Sequence, residues 1–414
     1  MQIKDLFSTE AAIGTASPLK QLAQKYCEQH DLRAKQAIWQ RLSMREVLNT
    51  PVKKPVKSAS GSISGIKPSA DQTIQLVFAN GSLVQPVQST ATQAHHGIEI
   101  DTSALDAEKS DGVWSQFMAN AEGDIAPAVA IICGQSAHRI TVSKDVHLEL
   151  VYVATDASPS VGYHIQVDVA ADVTASASQQ VIPQDGDTPS TILVSRRITL
   201  AKHAKWLERV IETLPNVNFL QTQQVDCAHG AHYQGFYTLA GGHACRHVSH
   251  IRLNEPTASA EVVALGLLSD KQRHDHTILM KHNAPHTQSK QEIKNVVSDH
   301  ALSNFTSRVY VRSGIANVES SQLNHNLLLS DKARALTAPE LEIYSDEVQC
   351  AHGATVGALD EKALFYLQSR GLDQVQAQAL LVEGFMNDII EGQPVAIREQ
   401  AHRVTKTFLE SSKS

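Results

Sequence analysis

Apolar and polar residues alternate with a period of two along most of the chain, from about residue 73 to residue 350. The clearest runs of this kind are 73–78, 147–153, 163–167, 248–253, 261–268, 277–281, 308–312 and 323–329. Many short, evenly spaced strands without helical patterns between them are typical of a β-sandwich, a β-barrel or a β-helix. Two-residue hairpin signals are scarce, Asn80-Gly81 being the one good candidate, and this scarcity favours a β-helix over an antiparallel meander.

Helical patterns flank this β-rich region on both sides. Ser17 followed by Pro18 is a typical helix start, and a second apolar stripe carries Ala34, Ile38 and Leu42. Near the other end, Asp360 and Asp373 are suited to cap the N-termini of two helices, and a last helix is predicted over about 396–409. The sequence therefore predicts helical regions that could cover the two ends of a solenoid.

Residues 51–70 differ from both neighbouring regions, with four lysines, no acidic residue, three prolines, two glycines and five serines. Such a segment cannot bury apolar surface, so we predict a flexible basic linker. The expected organisation is an N-terminal helical region over 1–50, the linker over 51–70, a β-helix core over 71–352 and a C-terminal helical domain over 353–414.

Composition excludes several classes of protein. The 414 residues include 36 basic and 43 acidic ones, a formal charge of −7, which is unlike the basic footprint of a nucleic-acid binder. There is no run of about 18 apolar residues and no apolar segment after Met1, so neither a membrane helix nor a secretory signal is expected. Five cysteines, an odd number without a close pair, argue against a disulfide framework. We expect a cytoplasmic protein that binds neither membrane nor nucleic acid.

Nine of the 20 histidines lie in one stretch of the β-rich region, at positions 229, 232, 243, 247, 250, 274, 276, 282 and 286. His274 and His276 would point the same way on a strand and could converge on a metal. A metal site also needs a third ligand and an ordered surrounding shell, which no spacing here supplies. We therefore predict outward-facing polar positions on a solenoid and keep a histidine-rich metal protein as an alternative.

Cys350 and His352 are the other candidates for chemistry. They lie two residues apart near the end of the β-rich region, so their side chains share a face if the chain is extended there. Thiolate and imidazole, close to Asp346 and Glu347, are competent ligands for iron. The structural alternative is a small buried cysteine and a histidine that caps a turn. No nucleophile elbow, phosphate-binding loop or HExxH helix occurs, so any ATP hydrolysis must come from another subunit.

Five strings of residues give a more specific result. They are SRVYVR at 307–312, QLNHNLLLS at 322–330, PELEIY at 339–344, CAHGATVG at 350–357 and LFYLQSRG at 364–371. Together they resemble the C-terminal core of the SufB/SufD family of iron–sulfur cluster assembly proteins, with weaker similarity reaching back to about residue 248. SufB proteins carry a sulfur-accepting cysteine where this chain has Ala333, and a histidine where it has Leu336. The resemblance is therefore to the SufD side of the family.

The resemblance implies a right-handed parallel β-helix core flanked by helical regions. It also implies a non-catalytic scaffold that pairs with SufB through the β-helix and binds the ATPase SufC through its C-terminal helices, and that can form a homodimer when isolated. No cofactor would be bound stably. A transient iron–sulfur cluster or iron, with a role in iron acquisition, would be held at the SufB–SufD interface by His352 with Cys350. The expected SufC contacts are Leu364, Phe365, Tyr366, Arg370, Gly371, Leu380 and Phe385.

A β-helix enzyme acting on polysaccharides is the alternative from a different class. Such an enzyme needs clustered carboxylates on one face of the solenoid for acid–base work or Ca²⁺ binding. Here Asp and Glu are scattered through the predicted strands.

Overall fold

The computed structural model of the chain describes residues 18–29, 73–86, 97–104, 108–121, 124–154, 160–182, 190–214 and 216–411. The predicted linker over 51–70 and the predicted second N-terminal helix around Ala34 and Leu42 lie outside the described residues.

Nineteen strands make up most of the described chain. The first ten are β1 (Thr73–Ala79), β2 (Ser82–Pro86), β3 (Ile98–Ala104), β4 (Gly134–Val142), β5 (Val146–Val153), β6 (Ser160–Val169), β7 (Thr174–Ile182), β8 (Ser190–Leu200), β9 (Lys205–Leu214) and β10 (Val217–Cys227). The other nine are β11 (His232–Gly241), β12 (Ala244–Leu253), β13 (Ser259–Leu268), β14 (Arg273–His282), β15 (Gln288–Val297), β16 (Leu302–Val311), β17 (Val318–Leu328), β18 (Arg334–Ile343) and β19 (Val348–Ala358).

Six helices accompany these strands in the described part of the chain. They are α1 (Pro18–Gln29), α2 (Glu108–Ala119), α3 (Ala126–Cys133), α4 (Glu361–Ser369), α5 (Gln374–Glu391) and α6 (Val395–Ser411). The first begins at Pro18, as the sequence predicts, and Asp360 and Asp373 cap α4 and α5 with their side chains.

The strands form a parallel β-solenoid of about 7 turns. From β4 onward, successive strands alternate between two sheets, so each pairs in parallel with the strand two positions away. Before β4, β1 pairs antiparallel with β2 and parallel with β5, and β3 pairs antiparallel with β4. Sheet I runs in the order β19-β17-β15-β13-β11-β9-β7-β5-β1-β2, and sheet II in the order β18-β16-β14-β12-β10-β8-β6-β4-β3. The predicted β-helix is therefore confirmed, and the sandwich and barrel alternatives are wrong.

Alternate residues of both sheets face the space between them and form the main core. In β9, for example, Trp206, Val210 and Leu214 are buried and their neighbours are more exposed. Removing one such large apolar side chain from water contributes roughly 1.5–3 kcal/mol. The period-two pattern of the sequence is the direct consequence of this two-sided arrangement.

Six of the short turns that lead from sheet II to sheet I contain a residue with a left-handed backbone. These residues are Asp172, His203, Gly230, Thr257, His286 and Asn317, with φ values of 62°, 57°, 62°, 61°, 58° and 57°. Glycine adopts this conformation freely, and Asn, Asp and His tolerate it better than other side chains. These single-residue corners explain why the sequence shows few hairpin signals.

Two helices interrupt the region predicted to be β-helix alone. Both α2 and α3 lie between β3 and β4 in the chain, and α3 is almost entirely buried. Its sequence, APAVAIIC, is apolar on every face, so periodicity cannot distinguish it from a strand. The boundary between the β-helix core and the C-terminal helical domain also differs from the prediction. Strand β19 continues to Ala358, past residue 352, and helix begins only at Glu361.

A buried ion cluster joins the segment between α2 and α3 to sheet II. The Arg246 side chain of β12 donates from Nη1 to both carboxylate oxygens of Asp124, at 2.8 and 2.9 Å. Its Nε lies 3.5 Å from the carboxylate of Asp275, and both side chains are almost fully buried. Charges buried in this way must be paired, so the cluster fixes this segment against sheet II.

The C-terminal helices pack back onto the outer face of sheet I. Val382, Met386 and Ile389 of α5 are buried in one apolar cluster with Val263 and Leu265 of β13. The buried Lys294 amine of β15 is 3.0 Å from the carboxylate of Asp388 and donates to the Phe385 carbonyl at 2.8 Å. In the described part of the chain, no helix combines the length and apolarity needed to cross a bilayer.

Candidate functional site at the last turn of the solenoid

The final turn of the solenoid carries Cys350 and His352 on one face of β19. Because β19 is the last strand of sheet I, it has a parallel neighbour, β17, on one side only among the described residues. Val348 and Cys350 pack against the main core, and alternation places His352 on that same inward face. Both side chains thus face the interior side of the solenoid where no further turn covers it in the described chain.

The two side chains differ in their exposure. His352 is exposed, and Cys350 is half-buried. Partial burial raises the pKa of the Cys350 thiol above its ordinary value, because desolvation disfavours the thiolate. Cys350 is therefore a thiol at neutral pH, and a metal that binds it must displace a proton.

A chain of polar side chains lies directly beneath this face. Gln322 of β17 is paired in register with His352, and its Nε2 donates across the interior to Ser307 Oγ of β16 at 2.6 Å. Ser307 Oγ in turn donates to Gln291 Oε1 of β15 at 2.5 Å. All three are completely buried, so the interior below the candidate site is polar and tightly ordered.

Asp346 and Glu347, the two acids close to this pair in sequence, lie in the exposed turn between β18 and β19. No group of three or more His, Cys, Asp or Glu residues that could hold a metal occurs among the described residues. Cys350 and His352 therefore supply two ligands at most from this side, and four-coordinate iron would need ligands from elsewhere.

Ala333, the position of the sulfur-accepting cysteine in SufB-like sequences, lies in the turn before β18. It is 5% exposed and packs with Leu268, Val297 and Ala301 in a small apolar cluster. A methyl group in that cluster has no nucleophile, so this turn cannot accept sulfur. Leu336, two residues into β18, is partly exposed.

The predicted contact helices expose an apolar patch. Phe365 and Tyr366 of α4 are 72% and 56% exposed, and Leu380 of α5 is 48% exposed. The Arg370 guanidinium lies 5.3 Å from the centre of the Tyr366 ring and donates to its hydroxyl at 3.2 Å. We call Phe365, Tyr366 and Leu380 the helical patch.

The other candidates on these helices differ in their surroundings. Gly371 has a φ of 97° just after the end of α4, the left-handed conformation that favours glycine. Leu364 is half-buried. The ring of Phe385 is half-buried against the solenoid, with the Lys294 amine 5.2 Å from its centre, so this residue packs inward.

The prediction that the histidine-rich stretch faces outward is wrong for four of the nine residues. His247, His274, His276 and His282 are buried and lie on the inward faces of β12 and β14, with Ile251 and Met280. His250 is also buried, but it lies on the face of β12 opposite Ile251. His282 bonds through Nδ1 to Thr287 and through Nε2 to Ser289, and His274 Nε2 lies 2.7 Å from the Gly241 carbonyl. Both ring nitrogens of His282 thus have partners within the protein, and none of the nine histidines belongs to a metal-holding group. The inward orientation of His274, His276 and His282 could have been predicted from the sequence. These residues alternate along β14 on the same face as Ile278 and Met280, which lie in the main core.

Sequence reasoning also missed a buried polar network near the middle of the solenoid. The Arg196 guanidinium of β8 forms an ion pair with Glu208 of β9 and donates to Gln223 Oε1 at 2.6 Å. Gln223 Nε2 donates to the hydroxyls of Tyr233 and Tyr237, at 2.7 and 3.1 Å. Arg196 and Glu208 occupy inward positions of the successive strands β8 and β9, where apolar residues are expected. A charged residue at such a position was the feature of the sequence that could have indicated this network.

Comparison with known proteins agrees with this architecture. The family model described as "SUF system FeS cluster assembly, SufBD core domain" matches residues 163–385. That stretch runs from β6 into α5 and includes the last turn of the solenoid.

Individual relatives show the same family. An iron–sulfur cluster assembly SufBD family protein of Synechocystis sp. is 36% identical over 156 residues, covering 38% of this chain and 34% of the relative. The iron–sulfur cluster assembly protein SufD of Escherichia coli is 33% identical over 153 residues, covering 37% and 36%. The matches thus span about a third of these two relatives. A SufBD family protein of Mycobacterium leprae is 24% identical over 311 residues, covering 68% and 76%.

The family model covers more than half of the chain, and the parallel β-solenoid contains the matched segment from β6 to β19. The chain belongs to the SufB/SufD family of SUF-system iron–sulfur cluster assembly proteins.

Proposed function

We propose that this chain is a non-catalytic scaffold subunit of a cytoplasmic SUF complex and takes the role of SufD, with a part in iron acquisition. The observation that carries the proposal is the uncovered last turn, where Cys350 and His352 share the inward face of β19. The site offers ligands but no sulfur acceptor, because Ala333 fills that position. A partner must supply the rest of the site.

SufB is the partner that fits this half-site. The outer edges of β18 and β19 have no strand neighbour among the described residues. An edge of this kind has unpaired backbone donors and acceptors and can pair with a strand of another chain. Pairing there would bring a second set of ligands next to Cys350 and His352. In the absence of SufB, the same edge can pair two copies of this chain as a homodimer.

The cargo of this joint site is iron or a transient iron–sulfur cluster. Thiolate and imidazole are both ligands of such clusters, and two ligands on each side suffice to hold one without a permanent cofactor. Cluster release then needs only that the two subunits separate or change their relative position.

The helical patch is the proposed contact for the ATPase SufC. Exposed aromatic side chains on a helix are enriched at protein interfaces, and Phe365 and Tyr366 project from α4 while α5 stays docked to sheet I. ATP hydrolysis is assigned to SufC because this sequence has no phosphate-binding loop. No observation among the described residues favours the polysaccharide-enzyme alternative.

Co-expression with SufB and SufC, followed by mass measurement of the purified complex, tests the assembly. We expect the three chains to co-purify, and Phe365→Ser with Leu380→Ser to lose SufC while retaining SufB. Val395→Ser is the matched control, since Val395 is 60% exposed but lies at the start of α6. Retention of SufC by the double variant would overturn the assignment of the helical patch.

Cluster formation in cells tests the ligands. His352→Ala and Cys350→Ala should reduce the iron and sulfide that co-purify with the complex, with no change in subunit stoichiometry. His325→Ala is the control, because His325 is on the neighbouring strand β17 but faces outward, where its Nδ1 lies 3.0 Å from Thr355 Oγ1. Wild-type cluster content in His352→Ala would refute its role as a ligand.

A further inference from the structure

We infer that Gln322 is a positioning residue for His352. Its side-chain carbonyl accepts the N–H of the inward ring nitrogen and so presents the other nitrogen, with its lone pair, to the open face. The inference rests on the proposed function, in which His352 binds a metal, and adds to it a residue that determines which ring nitrogen does so.

Register and burial bring the two residues together. Gln322 and His352 are direct partners in the parallel pairing of β17 with β19, a spacing of about 4.8 Å between strands. Both side chains point to the interior face. Gln322 is completely buried, while His352 on the next coil is exposed. The Gln322 amide therefore lies directly beneath the His352 imidazole.

Hydrogen bonding fixes the orientation of the amide. Ser307 has one hydroxyl proton, which it donates to Gln291 Oε1. Its oxygen therefore accepts from Gln322 Nε2, at 2.6 Å. Because the NH₂ group of Gln322 donates to Ser307, the carbonyl oxygen of the same amide points away from Ser307.

That carbonyl is an unsatisfied acceptor. Gln322 Oε1 is buried and has no hydrogen-bond partner, and buried acceptors without a donor are rare in folded proteins. The residue next to Gln322 in the neighbouring strand β19 is His352. In its neutral form the imidazole carries one N–H donor and one lone pair. Donation of that N–H to Gln322 satisfies the acceptor and selects one tautomer.

The chemical consequence follows from the way histidine binds metals. A ligating imidazole usually donates its second ring N–H to a carbonyl or carboxylate, which fixes the ring and raises the basicity of the ligating nitrogen. Gln322 is neutral, so it can orient His352 without adding a charge beneath a site that must also release its cargo.

The experiment is ¹⁵N NMR of the isolated, metal-free chain at about pH 8.5, two units above the histidine pKa of about 6.5 in model peptides. The shifts of the two ring nitrogens report the tautomer, and His352→Gln identifies the signals. We expect one tautomer to predominate in the wild type and Gln322→Met to move both signals toward the values of a tautomer mixture. Ser320→Ala is the matched control, because it removes a buried hydrogen bond from the same inward face of β17 and leaves the Gln322 amide and its bond to Ser307 in place. It should keep the wild-type signals.

Identical His352 signals in the wild type and Gln322→Met would overturn the inference, as would an equal change in Ser320→Ala. A second measurement uses Co²⁺ alone as the probe. Gln322→Met should weaken Co²⁺ binding that depends on His352 by roughly 10–100-fold, with no loss in Ser320→Ala. The NMR result needs neither metal nor partner, so it can fail while cluster assembly succeeds, and the reverse.

Discussion

His247 of β12 stacks on His276 of β14 in the interior of the solenoid, with ring centres 5.8 Å apart and planes 23° from parallel. The rings of Phe219 and Tyr237 each lie 5.5 Å from His247. The pair is therefore part of an aromatic column in the core. Burial lowers the pKa of His276 to about 3 and that of His274 to about 4, and it lowers the pKa of His247 as well.

Stability should fall as the pH drops below about 6.5, because these histidines are neutral in the fold. Between the ordinary histidine pKa of about 6.5 and the lowered values in the fold, the unfolded chain binds protons that the folded chain does not. The free energy of unfolding therefore decreases as the pH falls through this window, by up to about 1.4 kcal/mol per pH unit for each such histidine. Urea unfolding at a series of pH values from about 7.5 to about 4.5 measures the slope.

Replacing one member of the pair should reduce this slope. His276→Phe removes one titrating group and keeps an aromatic ring in the column. His402→Gln is the control, since it removes a histidine from the exposed face of α6, where its side chain is 46% exposed. Equal slopes in the wild type and His276→Phe would show that the stacked pair does not govern the acid response.

Asp124→Ala should destabilise the protein strongly. Arg246 and Asp124 side chains are each about 1% exposed, and removal of one partner leaves a buried charge without its main counter-ion. The expected loss is about 3–5 kcal/mol in the free energy of unfolding. The exposed pair of Arg139 with Asp168 provides a comparison, because Arg139 is 60% exposed. Asp168→Ala should cost about 1 kcal/mol or less, and similar losses in the two variants would contradict the assigned role of the buried cluster.

Cys350 should be the one thiol of the native chain that alkylating reagents reach. The other four, Cys27, Cys133, Cys227 and Cys245, are buried. Because partial burial raises the pKa of Cys350, its reaction with iodoacetamide should be slow at pH 7 and should speed up as the pH rises past about 9. Mass spectrometry of digested protein gives the modified positions. Fast labelling at neutral pH, or labelling of Cys245, would be inconsistent with this arrangement.

Thr257→Gly should stabilise the solenoid. Thr257 is exposed and holds a φ of 61°, a conformation that costs a β-branched residue about 1 kcal/mol more than glycine. Gly230 is at the equivalent position between β10 and β11, one coil earlier, with a φ of 62°. Its replacement by alanine tests the same effect in the opposite direction. Gly230→Ala should destabilise, since its new Cβ would also lie 3.2 Å from the His203 ring. Thermal unfolding of both variants checks the opposite signs.

The strands were predictable because their signal is local. Wherever one face of a strand is buried, as in β9, alternation of residue types records it directly, and the caps at Asp360 and Asp373 are equally local. The helix α3 was missed because a fully buried segment has no polar face to reveal its period. The end of β19 was placed too early because a last strand with little cover keeps few apolar residues.

Only part of the candidate site could be predicted from such local patterns. The spacing of Cys350 and His352 predicted their common face, and the resemblance to a family supplied a role for them. Gln322 could not be found, because it lies 30 residues earlier in the chain and meets His352 only through the register of β17 with β19. Pairing between strands of adjacent coils cannot be recognised in the sequence of either strand alone.

Local sequence patterns are enough to show that this protein is rich in short strands, has helices at both ends of the described chain and carries a Cys-x-His pair near the last strand. Each of these properties depends on neighbours within a few residues. The folded chain was needed to show that five of the clustered histidines are buried, that Phe385 packs inward, and that Gln322 lies beneath His352. Those outcomes depend on which coil stacks on which, because a polar side chain on an inward face is stable only where the adjacent coil supplies its hydrogen bond.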